Sequence, residues 1–117
     1  MGSIVSLLLG SRLNVANLDS ETFEKMLKET EDSVILDVRT KEEYCKKRIP
    51  DSILIDIYKP DFLSRLEKLN RGKTYFVYCR SGSRSFNAAV KMLKLGFTKI
   101  FNLENGISNW SGPVESN

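Results

Sequence analysis

Histidine is absent from all 117 residues of this chain. The Ser-His-Asp and Cys-His catalytic arrangements both depend on an imidazole base, so composition alone excludes them. A zinc site built from cysteine and histidine is excluded as well, and two cysteines, Cys45 and Cys79, are too few for a four-cysteine site. Any nucleophile in this chain must therefore be activated by other means.

The chain also has few cysteines and no long apolar run. Two cysteines cannot build a disulfide framework, which favours a reducing compartment, and we expect a cytoplasmic protein. The N-terminal apolar stretch, residues 4–9, is interrupted by Ser6 and is far shorter than the ~20 residues of a transmembrane helix. No lysine or arginine precedes it, so it also makes a poor secretory signal. We expect this stretch to belong to a tail.

The size and charge of the chain suit one small soluble domain. Of its residues, 41% are hydrophobic and 28% are charged, which is ordinary composition for a domain with a single core. The net charge of +3 is compatible with a small anionic substrate as easily as with nucleic acid. We expect a monomeric domain over residues 13–112, with an N-terminal tail at 1–12 and a C-terminal tail at 113–117.

Apolar runs that suit strands alternate with helical patterns along the chain. We predict strands at residues 14–16, 34–38, 53–57, 74–78 and 100–103. The intervening helices are predicted to start at Asp19 or Ser20, at the Thr40–Glu43 capping box, at Pro60, and before an apolar face that includes Phe86 as a core residue. This alternation indicates an α/β domain with a mostly parallel sheet covered on both faces. Ligands of such sheets bind at the carboxyl ends of the strands.

The most informative stretch, residues 78–85, reads Tyr-Cys-Arg-Ser-Gly-Ser-Arg-Ser and joins the best strand to the best helix. Backbone N–H groups and the helix dipole converge at such a junction and make a cradle for an anion. Gly82 permits unusual backbone angles, the serine hydroxyls add donors, and Arg80 and Arg84 add two positive charges. Each feature favours the thiolate form of Cys79, which we predict to be a reactive nucleophile.

These motifs together resemble the rhodanese family. Residues 78–85 are similar to its active-site loop, and residues 35–39 with Glu43-Tyr44 are similar to its LDVR…EEY signature. Ile49-Pro50, and residues 103–106 with Trp110, resemble two further signatures in the same order, so the resemblance runs from about residue 15 to residue 110. It implies a single-domain rhodanese-like fold, a three-layer α/β/α arrangement around a five-stranded, mainly parallel sheet.

The resemblance also implies an enzyme of the thiosulfate sulfurtransferase type that needs no cofactor or metal. Cys79 would take sulfane sulfur from thiosulfate or a persulfide donor and pass it, as a persulfide, to a thiophilic acceptor. The substrate-binding cradle would consist of Arg80, Ser81, Gly82, Ser83 and Arg84, supported by Asp37 and Arg39. The expected partners are a small anionic sulfur donor and a thiol, cyanide or protein acceptor, with neither nucleic acid nor a membrane involved.

Other interpretations stay open beside this one. The family's usual GHIPGA is replaced by residues 47–52, Lys-Arg-Ile-Pro-Asp-Ser, which leaves the substrate less defined than the reaction. The principal alternative is a non-catalytic rhodanese-like binding or regulatory module, although such modules commonly lack the loop cysteine. A third interpretation is phosphatase or arsenate reductase activity. Enzymes of those classes on this fold have one more residue between the cysteine and the arginine than the four that separate Cys79 from Arg84, so the shorter loop favours sulfur over phosphate. Cys45 is either incidental or a second thiol that resolves the persulfide.

Overall fold

The computed structural model describes residues 15–117. The predicted tail at 1–12 and the apolar stretch at 4–9 lie outside these residues. In chain order the elements are β1 (Ala16–Leu18), α1 (Ser20–Glu29), β2 (Ser33–Asp37), α2 (Lys41–Lys46), β3 (Ser52–Leu54), α3 (Phe62–Glu67), β4 (Thr74–Tyr78), α4 (Ser83–Lys94), β5 (Ile100–Leu103) and a 3₁₀ turn (Ile107–Asn109). Over residues 15–117, no helix is both long enough and apolar enough to cross a bilayer.

The five strands form one sheet in the order β1-β5-β4-β2-β3, and every neighbouring pair is parallel. Strand β4 is central, and all five of its residues are buried, as expected for a parallel strand covered on both faces. Tyr78, its last residue, pairs with Asp37, the last residue of β2. The register therefore brings Asp37 next to the point where the chain leaves the sheet toward Cys79.

Helices cover both faces of the sheet, so the predicted three-layer α/β/α architecture is confirmed. On one face, strand residues such as Leu36 and Val77 pack against α3 and α4, with Leu66 and Met92 fully buried. On the other face, Phe23 of α1 makes edge-to-face contacts with Phe76 and Trp110. Such aromatic pairs add to the stability gained by burying apolar area.

Several predicted element boundaries are confirmed. Strands β4 and β5 span the predicted residues, and Asp19 caps α1 by accepting from the Thr22 N–H at 2.8 Å. The capping box is present as well, with the Thr40 hydroxyl accepting from the Glu43 N–H and the Glu43 carboxylate accepting from the Thr40 N–H. These signals are local in sequence, which explains their reliability.

Other predictions about the elements were wrong. Strand β1 lies at Ala16–Leu18, two residues later than predicted, because those residues pair with β5. Strand β3 ends at Leu54 instead of residue 57. The Ile55 and Ile57 N–H groups still donate to the carbonyls of Asp37 and Val38, but the Asp56 carboxylate accepts from the Tyr58 N–H at 2.8 Å in a local turn that interrupts the regular strand. Pro60 precedes Asp61, the residue before α3, and is not the first helical residue.

Phe86 was predicted to belong to the core, yet it is 38% exposed. Its position in α4 follows the apolar periodicity, but the buried face of this helix is formed by Ser85, Ala88, Ala89 and Met92. The apolar pattern of the helix therefore extends beyond the face that contacts the sheet.

Candidate active site

Cys79 lies directly after β4, at the carboxyl edge of the sheet, and its side chain is 0% exposed. The backbone is fixed on both sides of this residue. The Val38 N–H donates to the Tyr78 carbonyl at 3.1 Å, and the Ile107 N–H donates to the Cys79 carbonyl at 2.9 Å. Gly82 occupies the N-cap position of α4, so the thiol and the amino end of a 12-residue helix share one short loop.

The Cys79 Sγ atom is surrounded by hydrogen-bond donors. The Gly82 N–H lies 3.1 Å from Sγ, and the Ser85 hydroxyl lies 3.4 Å from it. Burial by itself would raise the pKa of the Cys79 thiol, but the Ser85 hydroxyl and the backbone N–H groups of Ser85, Gly82 and Ser81 together hold that pKa below its ordinary value. The loop therefore stabilises a thiolate without help from an imidazole.

Two glycines allow the loop to lie against the end of β5. Gly82 has φ +102°, and a Cβ atom at this position would come within 1.8 Å of the Glu104 carbonyl oxygen. Gly106 has φ +70°, and a Cβ atom there would come within 2.1 Å of the Arg80 carbonyl oxygen. Any other residue at either position would force the backbone apart, so both glycines are required for the geometry around Sγ.

The two loop arginines have different environments. Arg84 lies in the first turn of α4 and forms a bidentate ion pair with Glu43 of α2, at 2.9 and 3.0 Å. The Arg84 hydrogen bonds lower the pKa of the Glu43 carboxyl to about 2, and the same carboxylate raises the pKa of Arg84. Arg80 is exposed, and its side chain makes no ion pair within residues 15–117.

Asp37 and Arg39 form a buried ion pair below the loop. Arg39 Nε and Nη2 donate to the Asp37 carboxylate at 2.9 and 2.7 Å, and Arg39 Nη2 also donates to the Lys47 carbonyl. The Tyr78 hydroxyl donates to Asp37 Oδ2 at 2.8 Å and accepts from the Ile49 N–H at 3.1 Å. Because Tyr78 precedes Cys79, this network ties the residue before the thiol to β2 and to the turn before β3.

The family model described as "Rhodanese-like domain" matches residues 19–113. This chain belongs to the rhodanese-like domain family. A protein of Allochromatium vinosum named "Sulfurtransferase" is 31% identical over 97 residues, which cover 83% of this chain and 89% of that protein. The "Putative sulfurtransferase YtwF" of Bacillus subtilis is 29% identical over 88% of this chain and 97% of its own length.

Solved structures agree with the family assignment. The crystal structure of a rhodanese-like domain protein from Staphylococcus aureus superposes with a TM-score of 0.72 at 26% identity, covering 88% of this chain and 99% of that one. A rhodanese-related protein from Thermoplasma volcanium gives a TM-score of 0.69 at 28% identity, covering 87% and 99% of the two chains. The fold predicted from the sequence is therefore confirmed.

Within this rhodanese-like domain, the predicted loop residues lie together but differ in what they contact. Of the three serines expected to supply hydroxyl donors, only Ser85 places its hydroxyl within reach of Sγ. Ser81 and Ser83 are exposed. Sequence reasoning recognised Glu43 as a helix cap and a family signature, but it missed the contact with Arg84, and it missed the hydroxyl of Tyr78. Both side chains reach partners 41 positions away in the chain.

The second cysteine, Cys45, is free and lies on α2. Its carbonyl accepts from the Asn117 N–H at 3.0 Å, and its Sγ accepts from Asn117 Nδ2 at 3.2 Å. Nearby, Glu115 forms an antiparallel bridge and an ion pair with Arg48. The final residues of the chain therefore pack on the segment between α2 and β3, and Cys45 contacts this C-terminal segment.

Proposed function

We propose that this rhodanese-like domain is a sulfurtransferase that carries sulfane sulfur as a persulfide on Cys79. The observation that carries the proposal is the set of donors around Sγ, the Gly82 N–H at 3.1 Å and the Ser85 hydroxyl at 3.4 Å. A thiolate held in this way is a nucleophile ready to attack sulfur. The printed names of similar proteins, "Sulfurtransferase" and "Putative sulfur carrier protein YrkF", support the same reaction class. This chain spans about half of the length of the latter protein.

Loading of Cys79 is a displacement at sulfur. The thiolate attacks the outer sulfur of the donor, an S–S bond to Cys79 forms, and the donor's bond to that sulfur breaks. The leaving group keeps the electron pair, so thiosulfate releases sulfite and a persulfide releases a thiolate. The outer sulfur then extends roughly 2 Å beyond Sγ, and the loop N–H groups stabilise its negative charge.

In the unloading step the Cys79 sulfur is the leaving group, whereas in the loading step it is the nucleophile. A thiol or cyanide attacks the outer sulfur, and Cys79 leaves as a thiolate. The donors that lower the pKa of Cys79 also make it a better leaving group, because they stabilise the thiolate formed in this step. The same hydrogen bonds therefore assist both halves of the cycle.

The loop is better suited to sulfur than to a phosphate ester. Four residues separate Cys79 from Arg84, and the Gly82 N–H is already within hydrogen-bond distance of Sγ. Arg84 is also engaged by Glu43, whereas an oxyanion site would need that guanidinium for the substrate. We place the reaction in the cytoplasm, in a monomer, with a small anionic or persulfide donor and a thiol or protein acceptor.

Intact mass spectrometry tests the proposal directly. The native protein is incubated with thiosulfate and, separately, with a small persulfide, and cyanide is added last. We expect a gain of the mass of one sulfur atom, which cyanide removes as thiocyanate. Cys79→Ser should gain none, whereas the matched variant Cys45→Ser should gain one.

Two results would contradict the proposal. A folded native protein that gains no sulfur from either donor would favour a non-catalytic binding module. A gain that persists in Cys79→Ser and disappears in Cys45→Ser would place the persulfide on the other cysteine.

A further inference from the structure

The charge of the active-site loop depends on Glu43. The Glu43 carboxylate approaches the Arg84 guanidinium through both of its oxygens, at 2.9 and 3.0 Å, and the two side chains are 27% and 21% exposed. The guanidinium also lies 5.7 Å from the ring centroid of Tyr58, which is 69% exposed. Arg84 is therefore held at the surface of the site by a carboxylate and an aromatic ring, and its charge is offset before any substrate arrives.

Arg80 is the other arginine of the loop, and its position differs. It is exposed, and within the described part of the chain its side chain forms neither an ion pair nor a hydrogen bond, while its carbonyl accepts from the Ser108 N–H at 3.1 Å. The backbone of Arg80 is thus fixed while its guanidinium is available. The loop, residues 79–85, therefore offers one uncommitted cation and one neutralised ion pair.

We infer that Glu43 is a specificity-determining residue that makes this site select a thiol persulfide over dianionic thiosulfate as its sulfur donor. The inference rests on the proposed function and names the donor class. Thiosulfate brings two negative charges, and both must be compensated when it leaves water. A thiol persulfide brings one charge at most, which Arg80 and the loop N–H groups compensate. The Glu43 carboxylate pairs with the Arg84 guanidinium, so that this second cation cannot bind thiosulfate, and it also repels the second negative charge of thiosulfate.

Loading from a persulfide and loading from thiosulfate are the same displacement at sulfur, but they bring different amounts of negative charge to the loop. With a protonated persulfide, the Cys79 thiolate takes the outer S–H group, the persulfide S–S bond breaks, and a thiolate leaves. With thiosulfate, the same thiolate takes the outer sulfur, the S–S bond to the sulfonate breaks, and sulfite leaves with two negative charges. Only the second reaction assembles three negative charges at the loop.

Glu43→Gln is the decisive variant because it removes the charge and keeps the shape. Glutamine also serves in a capping box, so the bond to the Thr40 N–H and the start of α2 are retained. Glu42→Gln, an exposed neighbour on the same helix, is the matched control. Single-turnover loading of Cys79 is followed by mass spectrometry with two donors, thiosulfate and 2-hydroxyethyl persulfide, whose alkyl part is uncharged.

In the native protein we expect the second-order loading constant for 2-hydroxyethyl persulfide to exceed that for thiosulfate at least tenfold. Freeing one cation beside a dianion changes affinity by about tenfold at ~5 Å in water-like surroundings. Glu43→Gln should therefore lower the half-saturating thiosulfate concentration about tenfold and raise the thiosulfate-to-persulfide ratio to a similar extent. Arg80→Gln should lower that ratio, and Glu42→Gln should leave it unchanged.

The failures are distinguishable. The inference is overturned if Glu43→Gln changes the loading constants of both donors by the same factor, or if the native protein is loaded by thiosulfate as readily as by the persulfide. Glu43 then has only a structural role, and the proposed function survives. If the native protein is loaded by neither donor, the proposed function itself fails. Arg80→Gln tests the same charge balance without changing Glu43, because Arg80 is exposed and, over residues 15–117, its side chain makes no hydrogen bond or ion pair.

Discussion

Replacing Ser85 with alanine tests how Cys79 is activated. The Ser85 hydroxyl is fully buried, donates to Sγ at 3.4 Å and also lies 3.3 Å from the Gly82 carbonyl. Ser85→Ala removes one oxygen atom and leaves the Gly82 N–H bond to Sγ in place. We expect the pKa of the Cys79 thiol to rise, because burial continues to disfavour the thiolate while one of its donors is lost.

The magnitude follows from the geometry of the lost bond. A hydrogen bond to a charged group contributes about 1.5–3 kcal/mol, but the single proton of this hydroxyl is shared between Sγ at 3.4 Å and the Gly82 carbonyl at 3.3 Å, so we take about 1 kcal/mol. One kcal/mol corresponds to roughly a fivefold change in an equilibrium constant. At a pH below the pKa of Cys79, the thiolate fraction, and with it the rate of sulfur loading, should fall by about fivefold.

The assay is the pH dependence of sulfur loading from thiosulfate, a donor that does not titrate near neutral pH, measured in a Cys45→Ser background so that Cys79 is the only thiol. We expect the acidic limb of the profile to move to higher pH in Ser85→Ala, with the plateau at high pH largely preserved. Ser64→Ala, on α3, whose hydroxyl donates to the Asp61 carbonyl, is the control. An unmoved limb with a lower plateau would refute the reasoning, since it would mean that Ser85 shapes the loop without stabilising the thiolate.

Three further predictions concern the loop and the residues that support it. Gly82→Ala should lower the free energy of unfolding by about 3 kcal/mol and abolish sulfur loading, because at φ +102° the new methyl group would lie 1.8 Å from the Glu104 carbonyl oxygen. The control Gly72→Ala, whose methyl group would meet only a side-chain oxygen at 3.1 Å, should have little effect in urea unfolding. Tyr78→Phe should cost about 2 kcal/mol, because it leaves the buried Ile49 N–H without its acceptor and removes one donor from the Asp37 carboxylate, which keeps its bonds to Arg39. Tyr58→Phe, at an exposed ring, should change the free energy of unfolding by less than about 0.5 kcal/mol, and equal effects of the two variants would contradict the network. The folded-state pKa of Glu43, about 2, lies below its ordinary value of 4.5, so its stabilising contribution is present above pH 4.5 and is lost as the pH falls toward 2. The stability difference between native protein and Glu43→Gln should therefore shrink over that interval, and a constant difference would count against the ion pair.

Much of the fold could be predicted because its signals are local. The capping box of α2 occupies four consecutive residues, and β4 is a continuous run of aromatic and β-branched side chains. The bounds of β3 were harder to predict, since the apolar run of residues 53–57 continues after the strand ends. Ile55 and Ile57 still donate to the carbonyls of Asp37 and Val38, so the chain follows the sheet without extending the regular strand.

The candidate site was predictable in position but not in its charge balance. A cysteine between a strand and a helix locates the loop, because every strand of a parallel sheet ends at the same edge. Nothing in the spacing of the chain shows that Glu43 would neutralise Arg84, because the two are 41 positions apart and meet only when α2 packs beside the amino end of α4. The sequence therefore identifies which arginines are near Cys79, and the structure distinguishes the uncommitted one from the paired one.

The absence of histidine gives the site a simple dependence on pH. Enzymes that use an imidazole base lose activity when it is protonated, usually between pH 5 and 8. Here the donors to Sγ are backbone N–H groups and a serine hydroxyl, none of which changes protonation in that range. With thiosulfate, which stays a dianion over this range, the acidic limb of the loading reaction should therefore follow the titration of Cys79 alone, so every change in the hydrogen bonds to Sγ can be measured as a shift of that limb.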